Sequence, residues 1–228
     1  MRLVTWNCNM AWARKSAFLL AMRPDIVVLQ ECSERDARAS GARHLFWTGS
    51  NPHKGLAVLV YGDLEARVDP CATTSLPWFL PVTIANRISL LAIWSCVKSW
   101  RIRYVKLSHQ IVDQSKVFLG SAPIAIATGD LNSNTIWDGE HGDLSHSCLV
   151  ARLETLGLTS AYHAMTGESQ GEETQPTQFM YRHRDKAFHL DYTFATVSLL
   201  SSASLTVGDP GQWLSLSDHM PLVLDFFP

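Results

Sequence analysis

Ile124-Ala-Ile-Ala-Thr-Gly-Asp-Leu-Asn-Ser-Asn134 is an apolar run that stops abruptly in Gly129, Asp130 and Asn132. Its first half reads as a buried strand, short and partly β-branched, with Pro123 in front and Gly129 behind. A strand ending this way projects a carboxylate and an amide from the rim of a sheet, where α/β proteins build their sites. Taken alone, Gly-Asp-x-Asn is also what a turn looks like, because Asp and Asn bond their own backbone. The rest of the chain has to decide between the two.

Working outward on the N-terminal side, residues 103–119 carry Tyr104, Leu107, Ile111 and Phe118 near helical spacing, closed by Gly120, and predict a helix over one face of a sheet. Before it the text is β-rich: 55–61, 65–68, 78–85 and 88–96 are consecutive short strands, expected to pair antiparallel within a mixed sheet. Residues 2–32 form a β-α-β unit. In the strand 2–10, period-2 counting sets Leu3, Thr5, Asn7 and Asn9 on one face and Val4, Trp6 and Cys8 on the other. A packing helix over 11–22 follows, stopped by Arg23-Pro24, and then an apolar strand over 25–32 ends in Gln30 and Glu31. A carboxylate closing such a strand is either a solvated end or a cation ligand. The two amides Asn7 and Asn9 by themselves read as turn formers.

On the C-terminal side, a polar loop over 135–147 contains His141 and His146, which lack the helical spacing of zinc ligands and are expected in solvent. A helix over 149–156 is capped by Gly157. Residues 166–176 are acidic and poor in apolar side chains, an expected mobile loop. Strands over 177–183 and 188–197 join through Arg184-Asp185-Lys186 as a hairpin, with His189 and Asp191 on one face and Leu190, Tyr192 and Phe194 toward the core. Ser217-Asp218-His219-Met220 leads into a closing strand over 221–227.

Composition bounds the rest. The 228 residues suit one domain spanning 1–228, and 46% hydrophobic with 18% charged residues is ordinary for a globular chain. Apolar runs such as 56–61 are strand-sized, far short of the roughly 20 residues of a membrane helix. A formal charge of -2 provides no global field for nucleic acid or anionic lipid, so any such contact is local. The five cysteines, widely spaced and without a Cys-x-x-Cys pair, read as reduced residues of a cytoplasmic protein. The start of the chain lacks the layout of a leader, so none is expected.

With these segments in place, the chain resembles the endonuclease/exonuclease/phosphatase superfamily, the DNase I-like group that includes apurinic endonucleases, inositol polyphosphate 5-phosphatases and neutral sphingomyelinases. Five motifs carry the resemblance in order: Trp6-Asn7-Cys8-Asn9, Leu29-Gln30-Glu31, Thr128-Gly129-Asp130-Leu131-Asn132, Leu190-Asp191-Tyr192 and Leu216-Ser217-Asp218-His219-Met220-Pro221. It implies an α/β fold of two mixed β-sheets packed face to face, helices outside, with strand ends from both sheets lining one cleft. It also implies a Mg²⁺-dependent phosphoesterase, with Mn²⁺ able to substitute, acting on phosphodiester bonds as an endo- or exonuclease. The alternatives are a phosphatase or phosphodiesterase for a small phosphorylated molecule, such as a phosphoinositide or phospholipid headgroup, and a non-catalytic phosphate-binding scaffold, disfavoured because the motif residues are intact. No protein partner is expected.

By the same resemblance, Glu31 is the expected Mg²⁺ ligand, with Asn7, Asn9 and Asp218 completing or orienting the shell; a hard cation takes such oxygen donors. Asp130 is expected to orient or deprotonate the attacking water, with Asn132 a neutral donor to the phosphate. Asp191 and His219 form an expected carboxylate–imidazolium dyad. The sequence departs from the pattern at Ile93-Trp94-Ser95-Cys96, where many members carry a phosphate-contacting His or Tyr. Tyr162, His163, Arg182 and Lys186 are the candidates for that role, and the basic cluster Arg182, His183, Arg184 and Lys186 for substrate contact.

Overall fold

The computed structural model describes residues 1–70, 78–96 and 104–227. Its strands run in chain order as β1 (Arg2–Asn7), β2 (Ile26–Cys32), β3 (His44–Asn51), β4 (Lys54–Val60), β5 (Ala66–Val68), β6 (Phe79–Ile84) and β7 (Ile88–Trp94). They continue with β8 (Ile124–Asp130), β9 (Leu158–Ser160), β10 (Gln178–Phe179), β11 (Ala187–Phe188), β12 (Asp191–Thr196), β13 (Ser204–Val207) and β14 (Leu222–Asp225). One six-stranded sheet has the order β13-β14-β1-β2-β4-β3, the other β5-β6-β7-β8-β12-β9. Both are mixed, with β1 parallel to β2 and β7 parallel to β8.

Alternation along the strands builds three cores. Leu3, Ile26, Val28 and Val58 of the first sheet meet Val82, Leu90, Ala92 and Ile126 of the second between the sheets. The opposite residues of the first sheet, Val4, Trp6, Val27 and Leu29, pack under Trp12 and Leu19 of α1 (Trp12–Leu20). Those of the second, Leu91, Ala125 and Ala127, pack under α3 (Tyr104–Leu119) and α4 (His146–Thr155). The short helix α2 (Glu34–Arg38) lies between α1 and α3 in the chain, and α5 (Ala161–Thr166), α6 (Val197–Leu200) and α7 (Pro210–Trp213) follow α4. The layers are therefore helix, sheet, sheet, helix, as in DNase I-like proteins. Strands β2 and β8 read as continuous apolar runs because both of their faces are covered. Among the described residues no helix is long and apolar enough to cross a membrane.

Several expectations need correction. The segment 55–61 does not continue the antiparallel run of 65–96: as β4 it pairs with β2 and β3 in the other sheet. Strand β3 left no period-2 signal because it is an edge strand with most side chains half-buried. The hairpin shrinks to the two-residue pair β10–β11, since Tyr181 and Arg182 adopt left-handed backbone with φ 55° and 61°. Residues 166–176 are tied down rather than mobile. Glu173 receives Asn134 Nδ2 and Gly171 N, and Glu168 receives Tyr162 Oη and Thr174 N. Cys8, Cys32 and Cys148 are free thiols; Cys71 and Arg103 lie outside the described residues.

Candidate active site

Topology explains why five distant segments converge. Strands β1, β2 and β8 all end at one rim, and β12 and β14, antiparallel to β8 and β1, begin there. Register places Asn7 beside Gln30 in the first sheet, and Asp130 between Trp94 and Asp191 in the second. The sheets touch where Asn7 Nδ2 donates to Asp130 Oδ2 at 3.0 Å. Gly129 is required just before this point. Its φ is +142°, and a Cβ there would lie 1.9 Å from the Ile93 carbonyl oxygen of the neighbouring strand.

The backbone is unusual at the first three motifs: Asn9, Glu31 and Asn132 have φ of 47°, 60° and 48°. Left-handed backbone is tolerated by Asn but is uncommon for Glu, and clusters of such residues mark sites held by their surroundings. At Glu31 it accompanies a register shift between Leu29 and Cys32 that turns the carboxylate out of the strand alternation. Asn9 donates Nδ2 to Asp218 Oδ1 at 2.7 Å and its backbone N to Asn7 Oδ1 at 3.1 Å, while Lys15 Nζ secures the carbonyls of Cys8 and Asn9. The two amides thus serve different carboxylates instead of sharing a strand face.

Both Asp130 oxygens are acceptors: Oδ1 from Asn132 N at 2.9 Å, Oδ2 from Asn7 Nδ2 and from Asn132 Nδ2 at 2.9 Å. Burial nevertheless pushes its carboxyl up to about 7, with the charge of His219 pulling the other way. Nδ1 of His219 lies 2.9 Å from Asp191 Oδ2, inside hydrogen-bond reach. Burial opposes the imidazolium, but the adjacent charges of Asp191 and Asp130 and the Asp191 hydrogen bond outweigh it and raise the ring to about 10. Asp130, Asp191 and His219 offer ligand atoms within 4.8 Å of one another, a cluster that could hold a metal ion. The Asp191 Oδ1 atom is buried and has no hydrogen-bond partner among the described residues.

The structure therefore brings Asn7, Glu31, Asp130, Asn132, Asp191 and His219 together, with Asn9 and Asp218 joined to them through Asn7. Arg182 is exposed and donates to the carbonyls of Ser215 and Leu216, and Lys186 is exposed in the β10–β11 turn. Tyr162 and His163 are elsewhere, in a polar cluster with Glu168, Glu173 and His189. His189 does not face with Asp191, because the chain leaves the strand pattern before β12: its ring packs on Tyr162 and Tyr192. Two basic residues escaped sequence reading: Lys54, whose only signal is that it opens β4 at a strand end, and Lys15, which lies within α1. Nζ of Lys54 is 3.0 Å from Glu31 Oε2.

His146, expected in solvent, is fully buried, with Nδ1 2.8 Å from Ser133 Oγ and its ring against Tyr192. Burial lowers its pKa to about 4, so it folds neutral. Its contribution to stability is complete above the unfolded value near 6.5 and is lost as pH falls through about 4, a difference of about 3 kcal/mol. Urea midpoints measured between pH 7 and 4 are expected to fall more steeply for the wild type than for His146→Asn. Glu173, held near 2 by His163 and the Gly171 N–H against the opposing effect of burial, adds its own loss at the acid end of that range, but equally in both proteins, so their difference reports His146.

Fold and rim together define a DNase I-like hydrolase of phosphoester bonds. The chain belongs to the endonuclease/exonuclease/phosphatase family, whose model matches residues 4–219. Among solved structures it is similar to an AP endonuclease from Archaeoglobus fulgidus, with 20% identity, TM-score 0.75 and 100% of both chains covered. It is also similar to the Neisseria 3′ phosphatase NExo bound to product DNA hairpin, at 18% identity, TM-score 0.73 and 100% of both chains. The endonuclease domain of TRAS1, a telomere-specific non-LTR retrotransposon, matches at 21% identity and TM-score 0.70 over 99% of this chain and 97% of that one. No curated protein sequence matches.

Proposed function

We propose that residues 1–228 work as one catalytic domain, a Mg²⁺-dependent nuclease that hydrolyses phosphodiester bonds. The observation that carries the chemistry is the buried His219–Asp191 pair set against Asp130, an imidazolium fixed beside a carboxylate. Asp130 orients and deprotonates water, Asn132 donates to the phosphoryl group, and His219, held by Asp191 through Nδ1, offers Nε2 to a phosphoryl oxygen. A proton on Nε2 leaves that nitrogen no lone pair for a metal, so the ion belongs on the Glu31 side. Glu31, Asn7, Asn9 and Asp218 fit a hard cation because they offer oxygen donors, and the bare Asp191 Oδ1 adds acceptor capacity nearby. Mg²⁺ there would supply charge neutralisation of the developing oxyanion.

Nucleic acid is favoured as substrate by the exposed hairpin beside the site. Tyr181 is 78% exposed next to exposed Arg182, Arg184 and Lys186, and Phe179 N bonds the carbonyl of Asp218. An aromatic among basic residues suits stacking on bases and contact with phosphates. The structural similarity to the AP endonuclease and to NExo supports the same choice. The free, buried Cys8 and Cys32 suit a reducing cytoplasm.

The test is a panel of abasic duplex DNA, single-stranded DNA, inositol polyphosphates and bis-nitrophenyl phosphate, each with EDTA, Mg²⁺ or Mn²⁺. Cleavage of DNA that vanishes in EDTA and returns with either ion is expected. Turnover of inositol polyphosphates without DNA cleavage would make the protein a small-molecule phosphatase, and full activity in chelator would remove the metal.

A further inference from the structure

Lys54 opens β4 at the rim where β2 ends, and its ammonium lies 5.7 Å from the centre of the Trp94 ring as well as 3.0 Å from Glu31. Its side chain is 39% exposed against 19% for Glu31, which sets the charge outside the carboxylate and toward the cleft. The pair bridges the sheets, since Trp94 belongs to the second and stands in register with Asp130. Tyr104, the first residue of α3, is 43% exposed, and it is tied to the chain after Trp94 through Ser108, whose hydroxyl bonds the Tyr104 carbonyl and the Ser95 hydroxyl. Asn132 Nδ2 donates to the carbonyl of Ser95 and ties the chain after Trp94 to the same corner. Lysine thus stands at Trp94, and tyrosine is linked to Ser95, in the stretch Ile93-Trp94-Ser95-Cys96 that itself has no phosphate-contacting His or Tyr.

Building on the nuclease reading, we propose that Lys54, with Tyr104 beside it, binds a non-bridging phosphate oxygen of the substrate. In the free protein the ammonium neutralises Glu31. With a divalent cation held at Glu31, Lys54 would lose that partner, and its flexible four-carbon stem would let the ammonium turn along the Trp94 face to the phosphate, whose charge would replace the one it has left. Surface ion pairs contribute little to stability, so Lys54 is free to change partners without loosening the fold.

The experiment compares wild type with Lys54→Met, Lys54→Arg and Tyr104→Phe, with thermal melts confirming the fold and Lys54→Gln replacing any unfolded variant. Mg²⁺ binding is measured by calorimetry, and binding of a labelled abasic-analogue duplex by anisotropy across a salt series. Lys54→Met is expected to bind Mg²⁺ about 10-fold tighter and DNA about 10-fold weaker, with the slope of log K against log salt reduced by about 1. Lys54→Arg should restore DNA affinity, and Tyr104→Phe should raise KM with kcat retained. Tighter Mg²⁺ with unchanged DNA affinity and slope would overturn the proposal and leave Lys54 as the counter-ion of Glu31. If the wild type hydrolyses bis-nitrophenyl phosphate or inositol phosphates but not DNA, the nuclease reading alone fails. KM for that ester then decides on Lys54, a rise in Lys54→Met supporting the contact and no change overturning it.

Discussion

Replacement of Asp130 by Asn is expected to lower kcat by about 10²- to 10⁴-fold, the usual contribution of a positioned general base. The substitution changes no volume, yet it is not silent structurally. Both Asp130 oxygens accept, from Asn132 N on one side and from the amides of Asn7 and Asn132 on the other. Whichever way the new amide lies, its NH₂ faces a donor, and a buried donor left unmatched costs about 1–3 kcal/mol. Steady-state kinetics should therefore be read beside a melt. A folded Asp130→Asn enzyme with unchanged kcat would remove Asp130 from the mechanism, whereas a lower melting temperature alone would show only its part in joining the sheets.

Asp191→Asn and His219→Ala are expected each to lower kcat/KM by at least about 10²-fold, and the double variant to be little worse than either alone. The physical reason is the 2.9 Å contact between two buried groups, through which the carboxylate fixes the ring and sustains its charge. Without Asp191 the ring stands unpaired in a buried site; without His219 the carboxylate does. Residues that act as a unit are non-additive in transition-state free energy. A double variant equal to the product of the singles would mean independent roles and would dissolve the dyad.

The sequence was informative wherever function sits at a strand end. An apolar run that stops in a polar residue signals both the strand and the rim, which made Glu31, Asp130 and Asn132 legible as strand-end residues, and the helices over 11–22 and 149–156 were legible too; Asn7 alone read as a turn former, and Asp191 and His219 came forward only through the family resemblance. It was misleading where exposure was inferred from composition. His146 reads as part of a polar loop, but it opens α4, where the ring of Tyr192 and the Ser133 hydroxyl enclose it. The acidic stretch 166–176 looked unsupported because Glu173 finds its partners in Asn134 and His163.

By itself, then, the sequence determined most of the strands, though not β3, β9 or β13, and some of the ends that carry oxygen donors, because hydrophobic period and terminal residues are local properties of the chain. Only the tertiary structure decided which ends meet. Asn7 reaches Asp130 across 123 residues and Asn9 reaches Asp218 across 209, contacts set by sheet order and the packing of one sheet on the other. It also decided that Lys54 joins Glu31, which follows from the antiparallel pairing of β4 with β2 and the bulge that turns Glu31 outward. Local pattern carries no information on register between distant strands, and in this protein register makes the site.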